Sequence, residues 1–324
     1  MATVLSIDIG GTSTKLAAVD EAFNVLDTVS VSTQDFKNED AFFAGLFQAI
    51  EEISGRLTKE HKFQGIGIGA PCGIPEEGVI YGAVNLPFSE RVEIVKLVEE
   101  RFLLPTLLTK DSYAATLGVQ VQRGAEAMAN YVVLTLGTGL GCGIVVNHQL
   151  VTGANGQAGE WGHTAIARSN RTCHCGKIGC LETYVSATGI KRTLFQLLAD
   201  SNESSVFRDL TFNQVTAEEI YQAALMADPL ALEAFSITGE VLGAKLAELV
   251  AIFEPEAIFL AGGLANAGEI LIEKVAVAME EQLLSIYKGK VKVLRSSSAT
   301  NEAAIIGAAS IVWNHLKSSS KCLS

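Results

Sequence analysis

The stretch that decides the fold is Val4–Val19, with the sequence VLSIDIGGTSTKLAAV. Aliphatic residues dominate both of its ends, which is typical of buried strands, and Gly10, Gly11 and Thr12 separate them. This pattern predicts a hairpin whose tip presents backbone N–H groups and a hydroxyl to an anion. An ordinary glycine hairpin is the alternative. Asp8, just before the turn, favours a phosphate site because its carboxylate can hold a hydrated Mg²⁺ beside bound phosphates.

The same pattern recurs at 131–146, YVVLTLGTGLGCGIVV, where Gly137, Thr138 and Gly139 separate two further strands. No helix follows the glycines of the first hairpin, which therefore matches neither a P-loop nor a dinucleotide-binding motif. Two turns of this kind, one from each half of the chain, can hold a polyphosphate from opposite sides. The pair is a stronger indication of a nucleotide site than either turn alone.

Three clustered cysteines predict a metal site in the second half of the chain. Cys173, Cys175 and Cys180 follow His163, and three thiolates with one imidazole are the ligand set of a closed, tetrahedral structural zinc site. A disulfide is the alternative, but it would leave one cysteine unpaired, and nothing else in the sequence is typical of a secreted protein. His174 is a second candidate for the fourth ligand. Because it lies between two cysteines, its side chain is expected to point away, which favours His163.

Composition excludes several classes of protein. A net charge of −12 argues against a nucleic-acid surface, which needs a basic face. The apolar runs are as long as strands and far too short to span a membrane, and we find no signal peptide. Six cysteines without a regular framework fit a reducing compartment. We therefore expect a cytoplasmic protein of about two domains that binds neither nucleic acid nor membrane.

Four further residues, at three places in the chain, are candidate site residues. Asp111 follows a predicted strand at 105–109, and the carboxyl end of a parallel strand is where open α/β sheets keep their reactive groups, although helix capping explains it equally well. Asn85 can both donate to and accept from a sugar hydroxyl, but a turn-forming asparagine is the commoner explanation. Gly262 and Gly263 follow a buried strand, where small residues allow an adenine ring or ribose to lie against the backbone. A plain strand-to-helix turn is the alternative there.

Taken together, these motifs resemble the ROK family of repressors, sugar kinases and uncharacterised frames, within the actin-like ATPase superfamily. The resemblance covers almost the whole chain, and the cysteine block with its trailing glutamate is its most specific part. It rests on the following stretches, in this order: Asp8–Thr12, Asn85–Pro87, Asp111, Leu136–Gly143, Glu160–His163, Cys173–Glu182 and Ala261–Gly263.

The resemblance implies an α/β fold of two ribonuclease H-like (actin-like ATPase) domains with an interdomain cleft. Residues 1–117 and 303–324 are expected to form a small N-terminal domain, to which the final helix returns. Residues 118–302 are expected to form the larger domain that carries the zinc loop. A homodimer or homotetramer is also implied, although no feature of the sequence fixes the number of subunits.

The resemblance further implies ATP-dependent phosphorylation of a hexose, with glucose as the first expectation and ATP, Mg²⁺ and a structural Zn²⁺ as cofactors. Asp111 resembles the catalytic base that takes the proton of the attacking sugar hydroxyl. The implied sugar ligands are Asn85, Glu160, His163 and Glu182. The implied nucleotide contacts are Asp8, Gly10, Gly11, Thr12, Lys15, Gly137, Thr138, Gly139, Gly262 and Gly263. The implied zinc ligands are His163, Cys173, Cys175 and Cys180.

Three positions around the predicted sugar site depart from the family pattern. Lys110, Tyr113 and Cys72 stand where relatives usually carry asparagine. A different hexose (N-acetylmannosamine, N-acetylglucosamine, fructose or allose), a compensated glucokinase, or a slow enzyme would each explain them, and polyphosphate is an alternative donor. A non-catalytic, sugar-responsive regulator is the second hypothesis. Repressors of the family add an N-terminal helix-turn-helix, for which a strand starting at Thr3 is expected to leave no room.

Overall fold

The computed structural model describes residues 2–57, 62–83, 86–88, 91–121, 125, 127–296 and 302–321, with the backbone only at 319–321. The chain forms two compact units, which we describe separately. Unit 1 comprises Met1–Ala127, Thr152–Ala158 and Asn301–Ser324, and unit 2 comprises Met128–Val151 and Gly159–Thr300.

The strands of unit 1 are β1 (Ala2–Ile9), β2 (Ser13–Asp20), β3 (Val25–Ser32), β4 (Lys62–Ala70), β5 (Gly73–Ile74), β6 (Val79–Tyr81), β7 (Arg91–Val92) and β8 (Thr106–Lys110). One sheet has the order β3-β2-β1-β4-β8, and β5, β6 and β7 form a small antiparallel sheet. In the larger sheet, β1 is antiparallel to β2 and parallel to β4, and β4 is parallel to β8. The first predicted hairpin is therefore confirmed as β1 and β2, at the centre of this sheet.

The sheet of unit 2 repeats this arrangement strand by strand. Its strands are β9 (Tyr131–Leu136), β10 (Leu140–Val146), β11 (Gln149–Leu150), β12 (Ala257–Ala261) and β13 (Lys292–Arg295), in the order β11-β10-β9-β12-β13. Here β9 is antiparallel to β10 and parallel to β12, and β12 is parallel to β13. In both units a glycine turn joins the first strand to an antiparallel partner, and the chain returns through parallel crossovers.

The helices, in chain order, are α1 (Glu39–Arg56), α2 (Ile94–Phe102), α3 (Asp111–Val121), α4 (Glu182–Val185), α5 (Ala187–Asp200), α6 (Ala217–Leu225), α7 (Pro229–Phe253), α8 (Glu269–Gln282) and α9 (Glu302–Lys321). None of the described helices combines the length and apolarity needed to cross a membrane.

Helix α9 belongs to unit 1 because small residues let it pack closely on α3. Ala114 and Ala115 of α3 form a buried cluster with Ala304 and Ala308 of α9. A side chain at Gly307 would collide with the carbonyl group of Ala114, so this close approach needs glycine. The packing supports β8 and the start of α3, where Asp111 lies.

The larger core of unit 2 forms between its sheet and the long helices. Helix α7 begins at a side-chain cap, since Asp228 Oδ1 accepts from the N–H groups of Leu230 and Ala231 at 3.1 and 3.0 Å. Its apolar face, which includes Leu242 and Leu246, packs with α8 into one continuous core. This core fixes β9 and β12, whose carboxyl ends carry the glycine segments at 137–139 and 262–263.

Two helices begin only after a different local element. Helix α2 begins at Ile94, because Arg91 and Val92 pair with β6 as strand β7. Helix α8 begins at Glu269, because residues 263–267 first form a 3₁₀ turn. In both places a competing local hydrogen-bonding pattern displaces the first α-helical turn.

Candidate functional site

The first glycine turn is closed by its own backbone. Gly10 N–H donates to the carbonyl of Ser13 at 3.0 Å, and Thr12 is exposed at the tip. Asp8 of β1 pairs with Lys15 of β2, and only the Ile9–Thr14 pair lies between them and the turn. The turn therefore presents backbone groups, a hydroxyl, a carboxylate and an ammonium group close together.

Asp8 and Asp111 are neighbours in unit 1. Asp111 begins α3 at the carboxyl end of β8, where its Oδ1 accepts from Ser112 N–H at 2.6 Å. Gly69 lies between the two aspartates, since a Cβ placed on it would be 3.9 Å from both Asp8 Oδ1 and Asp111 Cα. The predicted base and the predicted magnesium-holding carboxylate thus share one edge of the sheet.

The charge of this edge suits a hard cation. Burial and, to a smaller extent, the negative charge of Asp111 raise the pKa of Asp8 to about 7, against the opposing effect of the positive charge of Lys15. Two carboxylates that repel each other in a partly enclosed place are stabilised when a dication binds, and oxygen ligands are what Mg²⁺ prefers. The donor set therefore fits Mg²⁺, with Asp8 as the residue that would hold it.

The second glycine turn is held by a side chain from outside its hairpin. Leu140 N–H, just after the turn, donates to Glu182 Oε2 at 2.9 Å. The fit is tight, because a Cβ on Gly139 would collide with the same carboxylate group. Glu182, predicted as a sugar ligand, therefore also shapes the predicted phosphate turn, while Thr138 stays exposed at its tip.

The predicted metal ligands come together in unit 2. One ligand atom from each of His163, Cys173, Cys175 and Cys180 lies within 4.8 Å of the others. Cys175 Sγ and Cys180 Sγ are 3.6 Å apart, far longer than a disulfide bond, and Cys173 Sγ lies 3.7 Å from His163 Nδ1. A tetrahedral zinc with Zn–S bonds of about 2.3 Å requires sulfur atoms about 3.8 Å apart. The spacing fits zinc, and His174 is not part of the group.

Tight turns and two cationic side chains shape this metal loop. Gly176 and Gly179 have φ values of +86° and +85°, which favour glycine and reverse the chain between the cysteines. Lys177 Nζ donates to the carbonyl of His163 at 2.9 Å, which ties the imidazole segment to the cysteine turn. Arg171 donates to the carbonyl of Thr183 at 2.8 Å. These bonds hold parts of the loop in addition to the predicted metal ligands.

The pKa values of two thiols in the metal group are shifted from their ordinary value. Burial raises the pKa of Cys173 to about 12, because a thiolate is poorly solvated there. Burial also acts to raise the pKa of Cys175, but hydrogen bonds from the Lys177 backbone and the neighbouring thiols outweigh it, so that this pKa is lowered. A dication would stabilise all of the thiolates, and its binding releases protons.

Glu160 and His163 are adjacent on one 3₁₀ turn, Glu160–His163. His163 Nε2 lies 3.8 Å from Glu160 Oε2, on the ring edge opposite the Nδ1 that faces Cys173. One nitrogen can therefore bind a metal while the other faces the exposed carboxylate of Glu160. On the other side of the metal group, Cys173 Sγ lies 3.5 Å from Glu182 Oε1. The three predicted sugar ligands of unit 2 thus surround the metal group.

Of the remaining predicted site residues, Asn85 lies outside the described residues. Gly262 and Gly263 follow β12, and Gly262 packs against the backbone of Leu136, next to the second glycine turn. The two glycine segments of unit 2 are therefore neighbours.

Two contacts were not anticipated from sequence. In the first, the Glu182 carboxylate accepts a hydrogen bond from Leu140 N–H after the second turn. In the second, the buried side chains of Lys110 and Tyr113 bond to the backbone of Thr152–Ala158. Each contact joins residues about 40 or more positions apart in the chain, and nothing in the local sequence marks either. The only signal for the second was that Lys110 and Tyr113 depart together from the family pattern.

Two units with the same strand order, each with a glycine turn after its first strand, define the class: the fold is that of the actin-like ATPases. The structure of a ROK family glucokinase from Streptomyces griseus in complex with glucose and AMPPNP has a TM-score of 0.84 to this chain at 27% identity. The match covers 95% of this chain and 98% of that one. The sequence model of the ROK family matches residues 4–315, and the chain therefore belongs to the ROK family.

The relatives include both enzymes and regulators. A glucokinase from Halalkalibacterium halodurans is 32% identical over 307 residues, which cover 94% of this chain and 92% of that protein. A xylose repressor from Caldicellulosiruptor bescii is 29% identical over 277 residues, which cover 84% of this chain and 68% of that protein. Family membership and the actin-like fold, both expected from sequence, are confirmed.

Proposed function

We propose that this chain is an ATP-dependent hexose kinase and that glucose is its acceptor. The observation that carries the proposal is the position of Glu182, which contacts the second glycine turn through Leu140 N–H and also lies 3.5 Å from Cys173 in the metal group. A predicted phosphate site and predicted sugar ligands therefore adjoin within unit 2. Phosphoryl transfer needs that proximity, because the acceptor hydroxyl must lie next to the terminal phosphate. The glucokinase relatives support the same activity.

Asp111 is the proposed catalytic base. Asp111 lies at the amino end of α3, where its carboxylate accepts a hydrogen bond from Ser112 N–H that holds it in place. It would accept the proton of the attacking sugar hydroxyl as the bond to the γ-phosphorus forms. The phosphorus–oxygen bond to ADP breaks in the same step.

The two glycine turns are the proposed phosphate contacts. The hydroxyls of Thr12 and Thr138 and the N–H groups next to them would bind phosphate oxygens, and Lys15 would offset part of the phosphate charge. The N–H groups of Gly10 and Gly137 would keep the two turns closed. Asp8 would hold Mg²⁺, and the bound ion would neutralise part of the negative charge of the phosphates. Gly262 and Gly263, beside the second turn, are the proposed contacts of the adenosine.

The metal group is proposed to hold a structural zinc. Four protein ligands leave no open position for a reacting water. Its role would be to fix the loop that aims Glu160, His163 and Glu182 at the sugar hydroxyls, whose donors and acceptors a carboxylate or imidazole can match. We propose that this loop, together with Asn85, selects the hexose.

A sugar-responsive regulator is the second candidate, because the xylose repressor relative covers most of this chain. The first turn favours the kinase. Thr12 presents an exposed hydroxyl at the tip of this turn, and the carboxylates of Asp8 and Asp111 lie beside the turn. A phosphate donor and its metal require such groups. A net charge of −12 also argues against binding to DNA, which needs a basic surface.

The test is a panel of hexoses assayed for sugar-dependent ADP release with ATP and Mg²⁺. Glucose, mannose, fructose, allose, N-acetylglucosamine and N-acetylmannosamine are compared by kcat/KM, and polyphosphate replaces ATP in a parallel series. Glucose is expected to give the highest kcat/KM with ATP. A higher value for another hexose would change the substrate but keep the activity. No ADP release with any of them, combined with measurable sugar binding by calorimetry, would favour the regulator.

A further inference from the structure

Lys110 and Tyr113 flank the proposed base, yet both side chains are directed away from solvent. Lys110 is 3% exposed and Tyr113 is 1% exposed. Lys110 Nζ donates to the carbonyl oxygen of Ala158 at 3.3 Å, and Tyr113 OH donates to the same oxygen at 2.8 Å. A carbonyl oxygen has two lone pairs and can accept both bonds. The Lys110 ammonium also lies 5.1 Å from the centre of the Tyr113 ring, which joins the two side chains to each other.

Ala158, whose carbonyl accepts both bonds, is the last residue of a short loop that begins at Thr152. Ala158 N–H donates to the carbonyl of Thr152 at 2.9 Å, and Tyr113 OH reaches that carbonyl too, at 3.3 Å. The Tyr113 hydroxyl therefore bridges the two ends of Thr152–Ala158. Gln157 Nε2 donates to the carbonyl of Gly73 at 3.4 Å, which ties the same loop to β5. The loop belongs to unit 1, although Val151 before it and Gly159 after it belong to unit 2.

The two departures from the family pattern are thus one structural feature. Asparagine, expected at both positions, has a shorter side chain than lysine and lacks the aromatic ring that the ammonium contacts. A long cation and a phenol can deliver two donors to one buried carbonyl, and a buried carbonyl left without partners is costly. Changing only one of the two residues would remove the contact between the Lys110 ammonium and the Tyr113 ring.

We propose that Lys110 and Tyr113 are positioning residues that fix the ends of the Thr152–Ala158 loop and so set where the chain continues to Glu160 and His163. Glu160 lies two residues beyond Ala158 in the sequence. As far as it concerns sugar binding, this inference rests on the proposed function. Lys110 and Tyr113 would then affect sugar affinity without touching the sugar. They flank the base because Lys110 is the last residue of β8 and Tyr113 lies in the first turn of α3.

The structural arm of the test measures amide hydrogen exchange over residues 153–158 in Tyr113→Phe, Lys110→Met and the double variant. Tyr113→Phe removes only the hydroxyl. Exchange at these amides is expected to quicken about tenfold in each single variant, the effect of one hydrogen bond. The double variant is expected to exceed either single variant by less than the product of the two effects, because both donors share one acceptor.

Thr116→Val is the matched control. Thr116 is buried in α3, and its hydroxyl bonds within the helix to the carbonyl of Ser112 at 2.7 Å. This variant loses one buried hydroxyl that bonds within α3 and not to the loop, so exchange at 153–158 is expected to stay as in the wild type. Unchanged exchange in both Tyr113→Phe and Lys110→Met would overturn the inference. Equal acceleration in Thr116→Val would also overturn it, since the effect would then be general loosening.

The functional arm measures the sugar dissociation constant by calorimetry and the sugar KM and kcat by assay. Both constants are expected to rise about tenfold in Tyr113→Phe, with kcat within about twofold of the wild type and with unchanged affinity for an ATP analogue. Faster exchange with unaltered sugar affinity would overturn the positioning role. If the wild type phosphorylates no sugar, the proposed function fails, while the exchange and calorimetric results still decide whether the two side chains hold the loop.

Discussion

The two glycine turns occupy equivalent places in their sheets and differ in what surrounds them. Both turns close on their own backbone, since Gly10 N–H donates to Ser13 and Gly137 N–H donates to Gly139. In unit 1 the carboxylates of Asp8 and Asp111 lie beside the turn. In unit 2 the turn is also held by Glu182, 42 residues beyond Leu140, which approaches the metal group as well. One supersecondary pattern therefore serves two tasks. The first turn adjoins the charged groups that are proposed to act on the phosphates, and the second is joined to the groups that are proposed to hold the sugar.

The largest expected effect comes from the carboxylate next to the first turn. Asp111→Ala is expected to lower kcat about 10²–10⁴-fold, with little change in sugar or nucleotide affinity, because a general base acts mainly in the transition state. Steady-state kinetics with ATP and the best hexose, together with calorimetry, measure the separation.

Glu182→Gln is the counterpart beside the second turn. It removes the charge that accepts from Leu140 N–H, and it is expected to weaken sugar and nucleotide binding together, with a smaller loss of kcat. Should Asp111→Ala weaken nucleotide binding as strongly as Glu182→Gln does, the division of tasks between the turns would be wrong.

Metal removal is expected to act on the second turn alone. A chelator selective for transition metals, used with excess Mg²⁺, is expected to reduce sugar and ATP-analogue affinity by about 10–100-fold, because Glu182 loses the metal group that orients it. Added Zn²⁺ should restore both affinities. Metal analysis must show close to one zinc per chain in the untreated protein. Metal-free protein with both affinities intact would refute the link between the metal group and the turn.

A smaller effect is expected from two glycines of the second turn. A Cβ on Gly139 meets the Glu182 carboxylate, whereas a Cβ on Gly137 meets no atom within 4 Å. Gly139→Ala is therefore expected to displace Glu182 and weaken ATP-analogue binding about tenfold, the value of one charge-assisted hydrogen bond. Gly137→Ala serves as the control and is expected to change affinity by less than about threefold. Equal losses in both variants would indicate a backbone effect rather than a role for Glu182.

The elements that sequence predicted well are those whose signals are local. The aliphatic runs flanking Gly10–Thr12 and Gly137–Gly139 gave both hairpins, because burial and turn formation depend on adjacent residues. The spacing of Cys173, Cys175 and Cys180 also predicted a cluster, since the glycines between them reverse the chain within a few residues.

The contacts that sequence could not supply are long-range ones made by side chains. The bond from Leu140 N–H to Glu182 spans 42 residues, and those from Lys110 and Tyr113 to Ala158 span 48 and 45. Which way a side chain points is set by packing of the whole unit and not by its neighbours in sequence. The family pattern showed that Lys110 and Tyr113 were unusual, and only the fold shows that they share an acceptor.

The smallest expected effect concerns the residue just inside each turn. Asp8 and Thr135 are equivalent, each the next-to-last residue of the first strand of its sheet. Because the folded-state pKa of Asp8, about 7, lies above that of an exposed aspartate, the native protein binds more protons than the unfolded chain between about pH 4 and pH 7. Wild-type stability is therefore expected to fall as the pH rises through that window.

Asp8→Asn removes this titration. Its melting temperature is expected to match that of the wild type near pH 4 and to exceed it by about 2–6 °C at pH 8, although catalysis is lost. Thr135→Val is the equivalent change in unit 2. Its melting temperature is expected to differ from that of the wild type by the same amount at every pH. Thermal melts from pH 4 to 8 without nucleotide provide the measurement. A difference for Asp8→Asn that does not grow with pH would show that Asp8 is already ionised at neutral pH. The asymmetry between the turns would then rest on Glu182 and the metal group, with no contribution from repulsion between Asp8 and Asp111.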